Sequence, residues 1–345
     1  EPFAAADILM PAGKRTLSQW MKFANSLRLR LAIRVSMSAP DLARAEVAKA
    51  MDATAGGVLE SADETVAVST ESGYKNPLGT VNEGWGEVFM GATMESVLVG
   101  YNDPRLIKYY SKAEGGDIKD EKGNLIIAER NKIAGTYKGV PQGTGVTVKD
   151  ENRYRLHSKS TITKQTDAIL MTAAEVWFLR AEAALRGFTS ENVKDCYEKG
   201  ITVSCQQWGV NVGDYLTSDA TPSDYVDAFE AKYDVKALIK VTPKWDGGAS
   251  PEEQLERILT QKWIACYPEG YEAWTEQRRT GYPQLFKVFV NNSGGAIDTN
   301  IRIRRLPYPS DIQKNNPTQY SALKKALGGE DNGGTRLWWD TGRNF

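Results

Sequence analysis

Between Thr172 and Trp208 the sequence spells out two helices separated by a short turn, and this unit constrains the fold more than any other feature. Thr172 and Glu175 have capping-box spacing, in which the hydroxyl accepts a free backbone N–H and the carboxylate reaches back to the cap. Val176, Leu179 and Ala183 carry the helix to Gly187, a residue suited to the left-handed position just past a helix end. Ala173, Ala174, Ala181, Ala183 and Ala184 keep the helix thin, so that neighbours can approach closely. Ser190 is expected to cap the partner helix, which carries Val193, Tyr197, Gly200, Ile201, Ser204 and Trp208 on one side and stops at Gly209. Two helices on so short a join pack antiparallel. The unit is close to the roughly 34-residue length of a tetratricopeptide-like pair.

The same logic predicts other helices. One runs from Leu17 to about Met37, with Thr16 and Gln19 at capping-box spacing and a buried stripe of Trp20, Phe23, Ala24, Leu27 and Leu31. Arg28, Arg30 and Arg34 interrupt that stripe as a solvated or salt-bridged face. Pro40 closes this helix and opens the next, from Asp41 to about Met51. Ser250, Pro251 and Glu253 give a cap, a first-turn proline and an acidic third position for a helix interrupted at Pro268. A shorter helix follows through Trp274 to Arg279, and Pro317 opens another with Tyr320, Leu323 and Leu327. Asp103-Pro104 is a further helix start. Long irregular stretches, 54–92 and 112–164, separate the pairs, with short β runs such as 125–128 inside them. Loops of such length in a folded domain usually carry function or are disordered. The fold class is therefore mainly α: tetratricopeptide-like helix pairs with long irregular insertions and minor β.

Composition removes several function classes. The chain has 345 residues, with 43 Lys and Arg against 44 Asp and Glu, a net charge of -1 that offers no basic excess for nucleic acid. Three cysteines cannot make a disulfide framework. Cys196 and Cys205 fall on opposite faces of one helix, ~13 Å apart along its axis, and read as buried free thiols. The single histidine, His157, argues against the usual zinc sites and leaves any Ser-His-Asp arrangement resting on one residue. No apolar run reaches the length of a membrane span, and no metal or cofactor is expected.

Several segments, read in order, resemble the SusD/RagB family of outer-membrane nutrient-binding lipoproteins, in its SusD-like branch. They are 20–32 (WMKFANSLRLRLA), Asp103-Pro104-Arg105-Leu106, 175–187 (EVWFLRAEAALRG), Tyr197-Glu198-Lys199-Gly200-Ile201, 270–283 (GYEAWTEQRRTGYP), Arg305-Leu306-Pro307-Tyr308-Pro309 and Leu337-Trp338-Trp339-Asp340. The resemblance implies one SusD-like domain over 1–345, without the lipobox cysteine and first helices that precede the W-x-K-F-A-N-S-L-R motif in the family. It further implies a lipid-anchored, outward-facing protein on the outer membrane of a Bacteroidota-type bacterium. Such a protein would bind oligosaccharide or polysaccharide without catalysis and pass it to a SusC-like TonB-dependent transporter. A peptide-binding member of the same family and, beyond it, a glycoside hydrolase are the alternatives.

The shared motifs are mostly structural. Arg180 and Glu182 sit in a nearly all-apolar helix, where charges persist only when paired. Arg278 and Arg279 are expected to bridge helices or stack on rings beside Trp274. Trp20, Trp177, Trp263 and Trp274 read as core, and Trp338 and Trp339 as docking the C-terminal tail. Subtraction leaves Tyr74, Trp85, Tyr137, Tyr154 and Trp245 in irregular segments, where a flat ring can stack on the C–H face of a sugar. Asn76 and Asn82, near Tyr74 and Trp85, are the amides expected to bridge vicinal hydroxyls.

Overall fold

The computed structural model describes residues 3–145 and 152–345, so positions 146–151 of the predicted irregular stretch 112–164 lie outside the described residues. In chain order the helices are α1 (Leu17–Arg34), α2 (Pro40–Ala50), α3 (Pro77–Thr80), α4 (Ala92–Gly100), α5 (Leu106–Tyr109), α6 (Ala173–Leu185), α7 (Val193–Gln207), α8 (Pro251–Ala265), α9 (Gly270–Thr280), α10 (Ser310–Asn315) and α11 (Pro317–Leu327). Strands are short: β1 (Val66–Val68) pairs antiparallel with β4 (Ala168–Met171), and β2 (Ile118–Lys119) with β3 (Leu125–Ile127). The mainly helical expectation with minor β holds, and α1 packs on α2, α6 on α7, and α6 on α8.

The α6–α7 hairpin forms as the sequence requires. Thr172 Oγ1 accepts the N–H of Glu175 at 3.1 Å. At the far end, the Phe188 N–H returns to the Ala183 carbonyl while Gly187 takes φ +66°. Gly200 is needed for the close approach, because a Cβ there would stand 2.8 Å from the Phe178 ring. One cap differs: Asn192, not Ser190, accepts the Asp195 N–H, so α7 begins two residues later than expected. Glu191, which lies between the two candidate caps, pairs with Arg180 instead.

Reciprocal capping boxes fail at α1 and α6 for a physical reason. Glu175 turns away from its cap to take two hydrogen bonds from Arg30, at 2.7 and 2.6 Å. Gln19 is buried instead, its amide nitrogen without a partner among the described residues. At α8 the box is complete, with Ser250 and Glu253 exchanging bonds.

The predicted stripe of α1 is the main correction to the fold. Leu31 is 53% exposed, and Ala24 is also exposed, while Asn25 and Ser26 are buried. The inward face adds these polar groups to Leu29, Ala32 and Ile33 because its first half serves a loop. Asn25 donates to the carbonyls of Ala55 and Gly57 at 2.7 and 3.0 Å, and Ser26 accepts the Leu59 N–H at 2.9 Å. An unsatisfied buried backbone group costs about as much as a lost hydrogen bond, which outweighs a tidy apolar stripe.

Behind this face an ion lattice joins four helices. Lys262 of α8, at 1% exposure, lies 2.9 Å from Glu272 and 3.3 Å from Glu276 of α9. Arg34 of α1 reaches Glu272 at 2.5 Å, and Arg279 of α9 reaches Glu182 of α6 at 2.7 Å. Arg186 closes the row on Glu182. Burial alone would push these carboxyls up, yet the surrounding cations hold Glu182, Glu272 and Glu276 below the ordinary range. The expected pairing of Arg180 and Glu182 and the bridging by Arg279 are thus realised, while Arg278 stacks on Trp274 at 3.6 Å.

A second buried cluster stands at the start of α5. Arg105, fully buried, is held by Asp103, Ser204 and Gln261, and Tyr215 donates to Asp103 at 2.7 Å. All three cysteines are buried and free, and burial raises the Cys196 thiol to about 11. His157 is buried among Tyr154 and Phe229 with neither ring nitrogen bonded among the described residues, and burial lowers its pKa to about 3, which favours the neutral ring.

Candidate functional site

The segment from Asn76 to Gly86 is built to hold one ring out to solvent. Asn76 caps α3 by accepting the Leu78 N–H at 3.0 Å, and its amide nitrogen donates to the Thr166 carbonyl at 3.0 Å. Gly79 follows because the chain runs against backbone there: a Cβ would lie 2.1 Å from the Thr163 carbonyl carbon. The helix then widens into a π-helical turn, Val81–Trp85, closed by Gly86 at φ +67°. Such turns are rare and recur at functional sites.

Three side chains fasten this segment to residues 160–166. Besides Asn76, the Asn82 amide donates to the carbonyls of Ser160 and Ile162 at 2.7 and 2.8 Å, and Glu83 accepts the Lys164 N–H at 2.7 Å. The result is an indole at Trp85 that is 59% exposed and whose N–H makes no hydrogen bond among the described residues. Tyr74, at the entry to the segment, is half-buried. The ring thus stands at the end of a hydrogen-bonded segment with most of its surface open to solvent.

The other candidates take different places. The amide nitrogens of Asn76 and Asn82 donate to backbone carbonyls, while the Asn82 side-chain oxygen has no partner among the described residues. Tyr154 is 2% exposed, set edge-on to His157 and Phe229, and serves as a core residue of the insertion. Trp245 lies half-buried against Tyr197, with ring centroids 5.1 Å apart. Tyr137 is half-buried and borders an open cleft of about 850 Å3 that also includes Pro104, Ile107 and Asn211. Tyr74, Asn76, Asn82 and Trp85 thus share one segment, and Tyr137, Tyr154 and Trp245 stand elsewhere.

Two tryptophans read as core prove to line a cavity. Trp263 of α8 and Trp274 of α9 face a space of about 730 Å3 whose far wall is the irregular chain 285–303. Their helical spacing gave no sign of this, because the wall opposite them has no periodicity to read. At the C-terminus Trp339 does dock, between Arg34 at 5.9 Å and Arg278 at 5.1 Å, whereas Trp338 is 69% exposed. Among the described residues no cluster of three or more His, Cys, Asp or Glu could hold a metal ion. No helix among them is long and apolar enough to cross a membrane.

Comparison with known proteins agrees with the architecture. The SusD-like family model, described as SusD and RagB outer membrane lipoprotein, matches residues 10–340. A SusD homologue from Bacteroides vulgatus is 52% identical, with a TM-score of 0.87 over 96% of this chain and 64% of its own. A chitin-binding SusD homologue from Flavobacterium johnsoniae is 36% identical, with a TM-score of 0.87 over 99% of this chain and 67% of its own. One from Bacteroides thetaiotaomicron is 33% identical, with a TM-score of 0.85 over 99% and 69%. The chain therefore spans about two thirds of the length of these solved relatives. No curated protein matches. With its helix pairs, its motifs and nearly its whole length matched, the chain belongs to the SusD/RagB family of outer membrane lipoproteins.

Proposed function

We propose that this protein captures glycan chains at the cell surface, with Trp85 as the stacking platform, and does so without chemistry of its own. The observation that carries the reading is the bare, hydrogen-bond-free indole of Trp85 on a turn held rigid by Asn76, Asn82 and Glu83. A sugar ring presents weakly apolar C–H faces inside a rim of hydroxyls, so an immobilised aromatic face suits it, and the entropy cost of ordering the protein side is already met. The chitin-binding relative supports a β-linked N-acetylglucosamine polymer as the first ligand to try. Affinity for one ring is modest, and many copies on one cell acting on one polymer raise it through effective concentration.

In this reading the protein is lipid-anchored, faces outwards on the outer membrane, and hands its glycan to a SusC-like TonB-dependent transporter. Family membership supports these roles. Electrophoresis through gels containing chitin derivatives or other polysaccharides tests capture, and an assay for new reducing ends tests the absence of catalysis. Retardation by a polysaccharide with no new reducing ends is expected. Binding to peptides alone, or glycan turnover, would overturn the reading.

A further inference from the structure

The cavity beside Trp263 and Trp274 has a second property. Its walls include Met94, Ala273, Phe286, Val290 and Ile303, so most of what it offers is apolar. Two polar groups border it, and one of them has a buried atom without a partner among the described residues. Arg302 takes φ +64°, a conformation that side-chain-bearing residues seldom adopt, and the Asp298 carbonyl accepts its N–H at 2.8 Å. Its Nη1 donates to the Gln142 side-chain oxygen at 2.5 Å, while its Nη2 is buried with no acceptor among the described residues. No carboxylate among the described residues pairs with it. Asp298 borders the same space, but its Oδ1 is occupied by the N–H groups of Asn300 and Ile301. Burial without a counter-ion lowers the Arg302 pKa.

Gln277 is the second group. It is 8% exposed, borders the cavity, and its side-chain amide makes no hydrogen bond among the described residues. The penalty falls on Arg302 rather than on Gln277: a buried donor without an acceptor costs about 1–3 kcal/mol, and more when charged, so a ligand that supplies the acceptor recovers that cost on binding. The requirement is specific. A neutral sugar could stack on the indole rings that line the space, but it would give Arg302 an acceptor without a charge. Neither Trp85 nor Tyr74 borders this space.

We propose that this cavity is a separate binding site for a ligand carrying a carboxylate on an apolar body, with Arg302 taking the carboxylate, Gln277 completing its hydrogen bonding, and Trp263, Trp274 and Phe286 enclosing the apolar part. The site does not depend on the glycan reading.

Calorimetric titration of the whole chain with 4-phenylbutyrate and with its uncharged isostere 4-phenylbutyramide tests it. The acid is expected to bind at least about tenfold more tightly than the amide, as a charge-assisted pair predicts. Arg302→Gln should erase that preference, and Ala273→Phe, which fills the cavity, should abolish binding of both. No binding of the acid, equal binding of acid and amide, or acid binding that survives Arg302→Gln overturns the proposal. The comparison of acid with amide on the unaltered chain decides the matter even if a variant fails to fold.

Discussion

The ion lattice between α1, α6, α8 and α9 and the irregular segments that carry Trp85 and Arg302 treat polarity in opposite ways. In the lattice, Arg30, Arg34, Arg186, Lys262 and Arg279 each have a carboxylate within 2.9 Å. On the insertion side, Arg302 has only an uncharged amide among the described residues, and the indole of Trp85 stands open to solvent. A closed set of charges rigidifies and specifies a packing, whereas an open one waits for something outside the chain. The difference separates the part of the molecule that holds shape from the part proposed to meet ligand.

Breaking the lattice should produce the largest effect. Glu276→Ala would leave Arg279 and Lys262 under-compensated in the interior, and loss of ~3–5 kcal/mol is expected in denaturant unfolding. Next comes the helix contact. Gly200→Val drives a side chain into the Phe178 ring and should cost ~1–3 kcal/mol by the same measurement. His157 gives a pH test. Its folded pKa is about 3 against an ordinary 6.5, so the unfolded chain binds the extra proton between those values. Its stabilising contribution is whole above pH 6.5 and is lost as pH falls toward 3. Over that window His157→Phe should flatten the slope of stability against pH by up to ~1.4 kcal/mol per unit relative to the unaltered chain.

Smaller still is the expected stability change at the insertion face. Asn82→Ala removes two hydrogen bonds that steady the π-helical turn, so glycan affinity should fall while unfolding shifts by only ~1 kcal/mol. Trp85→Ala should leave the unfolding midpoint within ~0.5 kcal/mol of the original, as for an exposed side chain away from the core. If Trp85→Ala instead destabilised the fold as Glu276→Ala does, the division between the two regions would fail.

How much of this was legible in the sequence follows the same division. Caps at Thr16, Thr172 and Ser250, the glycines at 187 and 209, and the pairing demanded of Arg180, Glu182 and Arg279 were all readable, because helices write their rules within a few residues. The exposed Trp85 could be found by subtraction. What escaped depends on partners far along the chain. Asn25 and Ser26 turn inward for carbonyls and N–H groups about thirty positions away. Asn76 and Asn82 are consumed by backbone nearly eighty or more positions on. Tyr154 looked like an exposed loop ring, yet the insertion has a small core of its own with Phe229 and Ile133, built from segments with no common periodicity. Trp263 and Trp274 looked like core for the converse reason: their helices are regular, and only the chain 285–303 makes a cavity of the space before them.

The central claim is that a rigid turn presents Trp85 to a glycan, and calorimetric titration of the unaltered chain and of Trp85→Ala with chitohexaose tests it most directly. Binding by the unaltered chain, weakened at least about tenfold in a variant that unfolds at the same midpoint, is the predicted result. Equal affinity for the two proteins would contradict it.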